Sequence, residues 1–243
     1  MKSKIVFLII IFFEGITLNA QSVNYGIITY ERKTNLLKRF YKLDWMREWL
    51  EEDKEMKIKS EVFHLYFNDT MAAFIPDEDE KVDWMQWATA KNKVYTYLKT
   101  KEKITFKDIF GEVFVLKDSL PERKWKHTGK KRKIAGMECI ELIWQENDSS
   151  RIYAYISTQI PAPVGPESFC GLPGAVLGLA TEDGGIVYFA KSINFSRPEE
   201  IYFRIPKYKK FTTTQQLYNE LNKEKKKSKW DKLTLELNFG GVN

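Results

Sequence analysis

The stretch that decides the fold is residues 165–194, which read GPESFCGLPGAVLGLATEDGGIVYFAKSIN. Leu172-Pro173-Gly174 has the composition of a type II turn, because proline presets φ at the second position and glycine accepts a positive φ at the third. Residues 175–180 then form an apolar run, and residues 186–194 form a second one after an acidic turn that contains two glycines. The stretch therefore predicts a β-hairpin with turn-forming residues at its start and at its tip.

Alternating apolar and polar residues predict further strands on both sides of this hairpin. The predicted strands lie at residues 21–32, 61–67, 71–75, 82–88, 93–98, 104–106, 113–116, 125–134, 137–145, 151–158, 201–205 and 233–239. A short apolar stripe with a threonine cap predicts a helix from about residue 214 to 227. The pattern predicts a mainly β (α+β) fold, in which a curved antiparallel sheet or half-barrel of about ten strands carries one or two packed helices.

An amphipathic segment at residues 36–59 interrupts the strands. Leu36, Phe40, Leu43 and Leu50 recur in it at helical spacing. Such a stripe usually packs against a core. The same helix can also gate a concave sheet face or touch a membrane surface.

The chain begins with a pattern typical of a secretory signal. Lys2 and Lys4 precede a short apolar run, and Ala20 supplies the small residue before the break. We expect removal of residues 1–20 and a single β-rich domain at residues 21–243; the alternative is an N-terminal anchor that stays attached. No later stretch has the roughly twenty apolar residues of a membrane helix, so we expect an exported protein that is soluble after cleavage, in the periplasm or on the cell surface.

Composition limits the class of partner. Aromatic residues make up 14% of the chain, charged residues make up 30%, and the net charge is +6, which is typical of a globular and mildly basic protein. Outside the cytoplasm such a surface suits acidic lipid head groups or an acidic protein face. We expect an outer-membrane protein or a lipid as the partner and no nucleic acid, and the sequence leaves the oligomeric state open.

Several ordered motifs resemble those of the GLPGLI family, which comprises exported proteins of Gram-negative cell envelopes with no assigned activity. The element that carries the family's name is matched here by residues 171–174, and it follows Gly165-Pro166. Further matches, in chain order, are GIITYER at 26–32, FHLYFND at 63–69, Asp118, Leu120, Trp125, Lys126, Gly136, Cys139, Ala154-Tyr155-Ile156, Ile160-Pro161 and Ile205-Pro206-Lys207. The chain departs from the family at Ala175-Val176 and at Ile140-Glu141, and both departures conserve packing.

The resemblance spans nearly all of residues 21–243 and implies an envelope protein, but it assigns no catalytic residues. We expect the six residues of the motif to act through backbone shape, with a positive φ at the last of them. They are Gly165, Pro166, Gly171, Leu172, Pro173 and Gly174.

The chain has two cysteines, Cys139 and Cys170. An even count in an exported protein favours a disulfide between them. The alternative is that Cys170 is a nucleophile or a soft metal ligand, yet His64 and His127 are the only histidines and neither sits in a catalytic motif. No ligand spacing supports a metal site, and we expect no cofactor.

Two functional hypotheses remain open. The first is an envelope binding or accessory protein that holds an apolar ligand on a concave sheet face or docks on an outer-membrane partner. Six residues are predicted to line that face: Phe63, Leu65, Phe67, Tyr95, Tyr97 and Trp144. The second is a secreted or periplasmic hydrolytic enzyme whose site is assembled in space, since hydrolase motifs are absent. A polar, titratable lining would favour the enzyme, and an apolar lining would favour binding.

Overall fold

The computed structural model describes residues 24–52, 55–78, 85–109, 111–147 and 150–224. The strands are β1 Gly26–Asn35, β2 Ile58–Phe67, β3 Met71–Pro76, β4 Lys93–Tyr97, β5 Glu102–Ile109, β6 Glu112–Ser119, β7 Lys126–Ile134, β8 Met137–Asn147, β9 Ser150–Ser157, β10 Ala175–Thr181 and β11 Ile186–Asn194. The α-helices are α1 Leu36–Arg39, α2 Asp44–Glu52 and α3 Thr214–Glu224, and single 3₁₀ turns lie at Glu55–Lys57, Gln86–Ala88 and Glu200–Phe203. None of the helices in the described ranges is long and apolar enough to cross a membrane.

All eleven strands form one antiparallel sheet in the order β6-β5-β4-β3-β2-β1-β11-β10-β9-β8-β7. The first half runs outward from the centre to one edge, and the second half runs inward from the other edge. The halves meet where β1 pairs with β11. The mainly β fold predicted from the sequence is therefore confirmed.

The connection between β6 and β7 forces this sheet to curl. The two strands are opposite edges of the sheet, yet only residues 120–125 join them. A flat sheet of this order would separate its edges by about 48 Å at the usual strand spacing. The chain from Ser119 to Lys126 spans at most about 25 Å. The sheet is thus an open half-barrel, as predicted.

The inner face of the curl carries the main core. It bears Tyr30, Phe63 and Phe74, whose rings are fully buried, and Phe63 stacks on Phe74 with ring centres 4.9 Å apart. Residues 158–174, the plug loop, fold over this face and bury Val164 and Phe169 in the same cluster. The concave side is therefore filled by the chain itself along its central strands.

The plug loop is held in place by backbone hydrogen bonds and by the hydroxyl of one tyrosine. Ala175 N–H donates to the carbonyl of Ile160 over 2.9 Å, and Val176 N–H donates to that of Val164 over 2.8 Å. The Tyr30 hydroxyl donates to the Val176 carbonyl over 2.6 Å. These bonds hold the loop between the start of β10 and the centre of the sheet.

The outer face carries a smaller aromatic cluster around Tyr66 and Tyr95. The segment after β11 covers it, because Tyr202 stacks on Tyr66 with ring centres 3.8 Å apart. The strand predicted at residues 201–205 is wrong, since this segment forms a 3₁₀ turn that lies flat on the sheet.

The predicted helix at residues 36–59 is two helices, α1 and α2, with a turn at residues 40–43. The turn lets Phe40 and Leu50 bury in one small cluster with Met85 and Ala88. The strand predicted at residues 82–88 is also wrong where the structure describes it.

In place of that strand a 3₁₀ turn spans Gln86–Ala88, and carbonyls near it bind side chains. Arg39 Nε donates to the Ala88 carbonyl over 2.6 Å, and Arg32 Nη1 donates to that of Ala90 over 2.8 Å. The predicted strand at 233–239, the signal at 1–20 and the end of the last helix lie outside the described residues.

The structure does not support the predicted disulfide, because Cys139 and Cys170 are both free thiols in it; the pairing stays a prediction. Each sulfur faces a carbonyl of its own segment. Cys139 Sγ lies 3.7 Å from the Met137 oxygen on β8, and Cys170 Sγ lies 3.7 Å from the Gly165 oxygen in the plug loop. The loop is held by its backbone hydrogen bonds and its buried apolar side chains, without a covalent link.

Candidate functional site

A cavity of about 490 Å³ opens at the β4–β6 end of the inner face. We call it the polar cavity after its lining residues, most of which are polar, although apolar atoms make up the larger part of its wall. The sheet, the plug loop, the end of β6 and the start of α3 all contribute walls. The lining residues are Asn92, Val94, Lys103, Thr105, Lys107, Leu116, Asp118, Ser119, Pro121, Glu167, Ser168, Thr214, Gln215 and Tyr218.

Strand β5 supplies the floor with an inverted alternation. Its inward residues are Lys103, Thr105 and Lys107, whereas Ile104 and Phe106 point to the outer face. Lys107 is 3% exposed. Burial lowers the pKa of the Lys107 ammonium to about 8 and also lowers the pKa of Lys103. These inward lysines are part of the inner wall of the sheet.

The plug loop supplies the carboxylate of Glu167 to the cavity wall opposite β5. Glu167 is buried and adopts a φ of 53°, an unusual backbone conformation for a residue other than glycine. The Tyr188 hydroxyl donates to its Oε1 over 3.2 Å. Burial raises the pKa of Glu167, while the charges of Arg32 and Lys107 oppose that rise. Strained residues of this kind often mark functional sites.

A buried ion pair lies on the same face, towards β1 and β2. Arg32 Nη2 and Nε donate to Glu61 Oε2 over 2.6 and 3.0 Å. The Thr89 hydroxyl donates to Glu61 Oε1 over 2.6 Å. The charge of Arg32 opposes the rise in the pKa of Glu167, so the ion pair lies close enough to the polar cavity to influence its electrostatics.

One polar atom of the cavity wall has no hydrogen-bond partner in the part of the chain that the structure describes. Asn92 is 4% exposed, and its Oδ1 is buried without a hydrogen bond from any described residue. A buried acceptor left in this state costs about 1–3 kcal/mol. Its position in the cavity wall is therefore typical of a group that meets a donor on a ligand or on water.

Helix α3 forms the outer wall and is anchored at its start. The Asp118 carboxylate accepts from the Thr214 hydroxyl over 2.6 Å and from the Thr214 N–H over 3.1 Å. Leu217 is buried in a small cluster with Ile109 and Leu116, separate from the main core. The wall that closes the cavity is thus α3, whereas the sequence predicted the 36–50 segment as the gate.

The six residues predicted to line an apolar face do not form one surface. Phe63, Leu65 and Phe67 are fully buried in the main core under the plug loop. Trp144 packs at the edge of that core. Tyr95 belongs to the outer cluster, and Tyr97 pairs with Met71 on the same outer face. The prediction is wrong because β4 presents its tyrosines outward, while its inward residues are Val94 and Thr96.

The motif glycines are required by space or by conformation. Gly174 has a φ of 138°, which confirms the predicted positive value, and a Cβ there would lie 2.4 Å from the Ser157 oxygen. Gly171 has a φ of 89° and open space around it. A Cβ on Gly165, whose φ is ordinary, would lie 2.3 Å from the Phe169 oxygen.

The predicted type II turn at Leu172-Pro173-Gly174 is replaced by a tighter turn. Gly174 N–H donates to the Leu172 carbonyl over 2.7 Å, which is the pattern of a γ-turn. Ala175 N–H, which would close a type II turn, is directed to Ile160 instead. Gly165 and Pro166 lie in the same loop, and the Pro166 carbonyl accepts from Phe169 N–H over 3.0 Å.

Thiol and metal chemistry have little support in the described residues. Burial raises the pKa of the Cys170 thiol to about 11, so it is protonated at neutral pH. His64 contacts Thr29 and Asp77 on the outer face, and His127 is exposed on β7. Within the described ranges no group of three or more histidine, cysteine or acidic residues could hold a metal ion.

Sequence reasoning missed Asn92, Lys103, Lys107 and Glu167. The signal was present in β5, where lysine, threonine and lysine alternate with two apolar residues. Nothing local to Asn92 or Glu167 separates them from ordinary loop residues.

Comparison with known proteins defines the fold alone. No protein-family model and no curated protein matches this sequence. Two solved structures of PNGF-II, in different space groups, superpose with TM-scores of 0.55 and 0.56 at 16% and 15% identity. They cover 80% and 81% of this chain but 32% and 33% of their own, so this chain spans about a third of the length of PNGF-II.

A crystal structure of an uncharacterised conserved protein from Thermus thermophilus matches with a TM-score of 0.41 at 8% identity, over 79% of this chain and 91% of its own. This likeness is too remote to support an inference. The resemblance to the GLPGLI family stays a prediction.

Proposed function

We propose that this protein is an exported binding protein of the cell envelope that holds a polar small molecule in the polar cavity. The observation that carries the proposal is Asn92 Oδ1, an acceptor that is buried in the cavity wall and has no donor among the described residues. A cavity of about 490 Å³ falls in the usual range for small-molecule sites. Export itself rests on the signal pattern at residues 1–20.

The apolar version of the binding hypothesis is less favoured. Phe63, Leu65 and Phe67 are fully buried, so a lipid chain would have to displace the plug loop to reach them. That loop is held by several backbone hydrogen bonds and by the packing of Phe169. A polar ligand in the existing cavity requires no such rearrangement.

An enzyme is the second candidate, since a polar, titratable lining is the feature expected to favour it, and one pair of residues supports it. Glu167 and Lys107 line the same cavity, and burial shifts the pKa of each towards neutrality. Groups tuned in this way can exchange protons with a substrate. Binding is preferred because neither sulfur nor hydroxyl is activated at the cavity wall: the nearby Cys170 thiol is protonated and the Ser168 hydroxyl accepts from Arg123 Nη2. Lys107, whose pKa is lowered by burial, is the nucleophile that the enzyme alternative would use.

Native mass spectrometry of protein recovered from the envelope fraction tests the proposal. We expect a small polar molecule to be retained by the native chain and by Lys99→Gln, a control in the exposed β4–β5 turn. Asn92→Leu should lose it. An empty native protein that hydrolyses an ester, peptide or glycoside, with the activity lost in Glu167→Gln, would favour the enzyme instead. A retained lipid would support the apolar version.

A further inference from the structure

We infer that residues 207–211 are a docking surface for membranes that contain anionic lipids. These residues read KYKKF and follow the 3₁₀ turn at Glu200–Phe203, which lies on the outer face of the sheet. We call them the basic–aromatic segment. The inference concerns the surface on which the protein is held, and it does not depend on which molecule the polar cavity binds.

Two backbone hydrogen bonds fix the chain to the sheet directly after this segment. Thr212 N–H donates to the Val115 carbonyl over 3.0 Å, and the Thr212 carbonyl accepts from Lys117 N–H over 2.8 Å. Within the segment, the Tyr208 ring meets the Phe106 ring of β5 edge-on, with ring centres 6.1 Å apart. The segment is thus positioned before a partner arrives, which lowers the cost of ordering it on binding.

Apolar side chains are exposed at this edge of the sheet. Phe211 is 57% exposed, and its ring meets that of Tyr208 edge-on with ring centres 6.3 Å apart. Val113, on the same face of β6 as Val115, is 56% exposed. Neighbouring phenylalanine and tyrosine rings suit the interface of a bilayer, where the apolar body of a ring is buried and a tyrosine hydroxyl stays in water.

Positive charge accompanies these rings. The segment contains three exposed lysines, Lys207, Lys209 and Lys210. Residues 201–213 contain no acidic residue, and the acidic residues beside Val113, Asp108 and Glu112, form no ion pair with these lysines in the described structure. A lysine near an anionic membrane strengthens binding, because its stem lies along apolar surface while its ammonium reaches the head groups. Rings and lysines together therefore favour an anionic lipid surface over a neutral one.

The opposite edge of the sheet is also basic but lacks this combination. Strand β7 carries Lys126, Lys130, Lys131 and Lys133, and its one ring is a histidine. Lys130 lies 3.7 Å from Glu141, and Lys133 pairs with Glu138 across the ladder. Lysines along a free edge strand also prevent unwanted strand pairing. The charge of β7 is therefore explained without a partner, and this strand serves as a control.

Co-sedimentation with lipid vesicles tests the inference on the mature chain, residues 21–243. The vesicles contain phosphatidylcholine alone or phosphatidylcholine mixed with phosphatidylglycerol. We expect binding to the mixed vesicles only, and we expect it to weaken as the salt concentration rises. Lys207→Gln with Lys209→Gln and Lys210→Gln should weaken it about a hundredfold, at about fivefold for each lysine. Phe211→Ser should weaken it by about tenfold, because a buried ring is lost from the interface.

Two matched controls remove the same charge elsewhere. Lys126→Gln with Lys131→Gln and Lys133→Gln takes three lysines from β7. Lys225→Gln with Lys226→Gln and Lys227→Gln takes three from a basic run outside the described residues. Each control should change binding by no more than about threefold, since distant charges are screened by salt. A control that weakens binding as much as the segment variant would overturn the inference, because net charge or another surface would then hold the protein.

The remaining outcomes also decide the inference. Equal binding to both kinds of vesicle, or binding to neither, would overturn it. An acidic protein retained by the native chain and lost in the segment variant, without vesicle binding, would assign the surface to a protein partner instead. Loss of vesicle binding in a segment variant that still retains the cavity ligand would support it. An empty cavity in a chain that binds mixed vesicles would reject the proposed function alone.

Discussion

The two ends of the inner face share one sheet but are closed in different ways. Under β1, β2 and β3 the face is aromatic, and the plug loop fills it with Val164 and Phe169. Under β4, β5 and β6 the face carries Lys103 and Lys107, and a cavity remains beneath α3. Apolar side chains exclude water and attract other apolar chain segments, whereas inward lysines keep a space that a polar group can enter.

Arg32 marks the boundary between the two ends. Its guanidinium lies 4.6 Å above the centre of the Phe63 ring and also binds Glu61. Arg32 therefore lies where the aromatic end of the inner face meets the charged end. One curved sheet can thus serve as core at one end and as candidate site at the other, depending on the inward residues of each strand.

The largest expected effect on stability comes from replacing Arg32, the residue at this boundary. Arg32→Met should lower the free energy of unfolding by about 3–5 kcal/mol, because it leaves the Glu61 carboxylate buried without its partner. Glu61 is 1% exposed. Urea denaturation followed by tryptophan fluorescence measures the change.

The matched control is Arg151→Met, which breaks a pair between Arg151 and Glu182 whose side chains are 39% and 41% exposed. We expect this control to change stability far less than Arg32→Met does, because water screens an exposed ion pair. Equal losses in the two variants would contradict the boundary role of Arg32.

The second prediction tests how tightly the plug loop is held at the aromatic end. Gly174→Ala should cost about 2–4 kcal/mol, because it adds a clash with the Ser157 carbonyl to the strain of a positive φ. Gly171→Ala should cost about 1 kcal/mol, since its φ is positive but the space is open. Thermal melts of both variants check the order, and the reverse order would refute the steric reading.

The third prediction concerns pH at the charged end. The folded pKa of Lys107 is about 8, below its ordinary 10.5, so the unfolded chain binds more protons between these values. Stability contributed by this group therefore rises as pH increases from 8 to 10.5, by up to about 3 kcal/mol.

Lys107→Met removes that term and leaves the other titrating groups in place. The difference in unfolding free energy between the two proteins should shift in favour of the native lysine as pH rises through this window. A difference that stays constant from pH 7 to 10 would show that Lys107 is as well hydrated in the folded chain as in the unfolded one.

The smallest expected effect is at Asn92. Asn92→Leu should change the free energy of unfolding by no more than about 1 kcal/mol. The variant should be more stable than the native chain if removing the unpaired acceptor stabilises more than the different shape of leucine destabilises. Thr89→Val is the contrast, because its hydroxyl donates to Glu61 and its loss should cost about 1–3 kcal/mol. Urea titrations of the two variants measure the free energies of unfolding. A larger loss of stability in Asn92→Leu than in Thr89→Val would mean that Asn92 has a structural role.

Strand pairing was predictable because it follows from local alternation and from turns. The hairpin from β10 to β11 and the turn between β7 and β8 at Ala135-Gly136 lie where the sequence places them. The segments at 86–88 and 200–203 were not predictable, since their conformation is set by Arg39 and by Tyr66, which lie far away in the chain. The alternation of apolar and polar residues along the chain cannot indicate contacts with residues so distant in sequence.

The candidate site was predictable only at the level of a concave face. Which of two alternating sets points inward depends on register across several strands, and β5 directs its polar set inward. Glu167 lies within residues 165–194, the stretch that decides the fold, yet its proximity to Lys107 depends on how the plug loop folds. The chemistry of the cavity is therefore a property of the assembled sheet.

The pairing of β1 with β11 has a consequence for how the chain folds. Each half of the sheet is a meander of strands that are neighbours in sequence, so the contacts within a half are more local than those between the halves. The halves are joined by residues 26–35 and 186–194, which lie at nearly opposite ends of the described chain. A chain that emerges from the ribosome N-terminus first can form its first meander early, but it can complete the sheet only after β11 has followed.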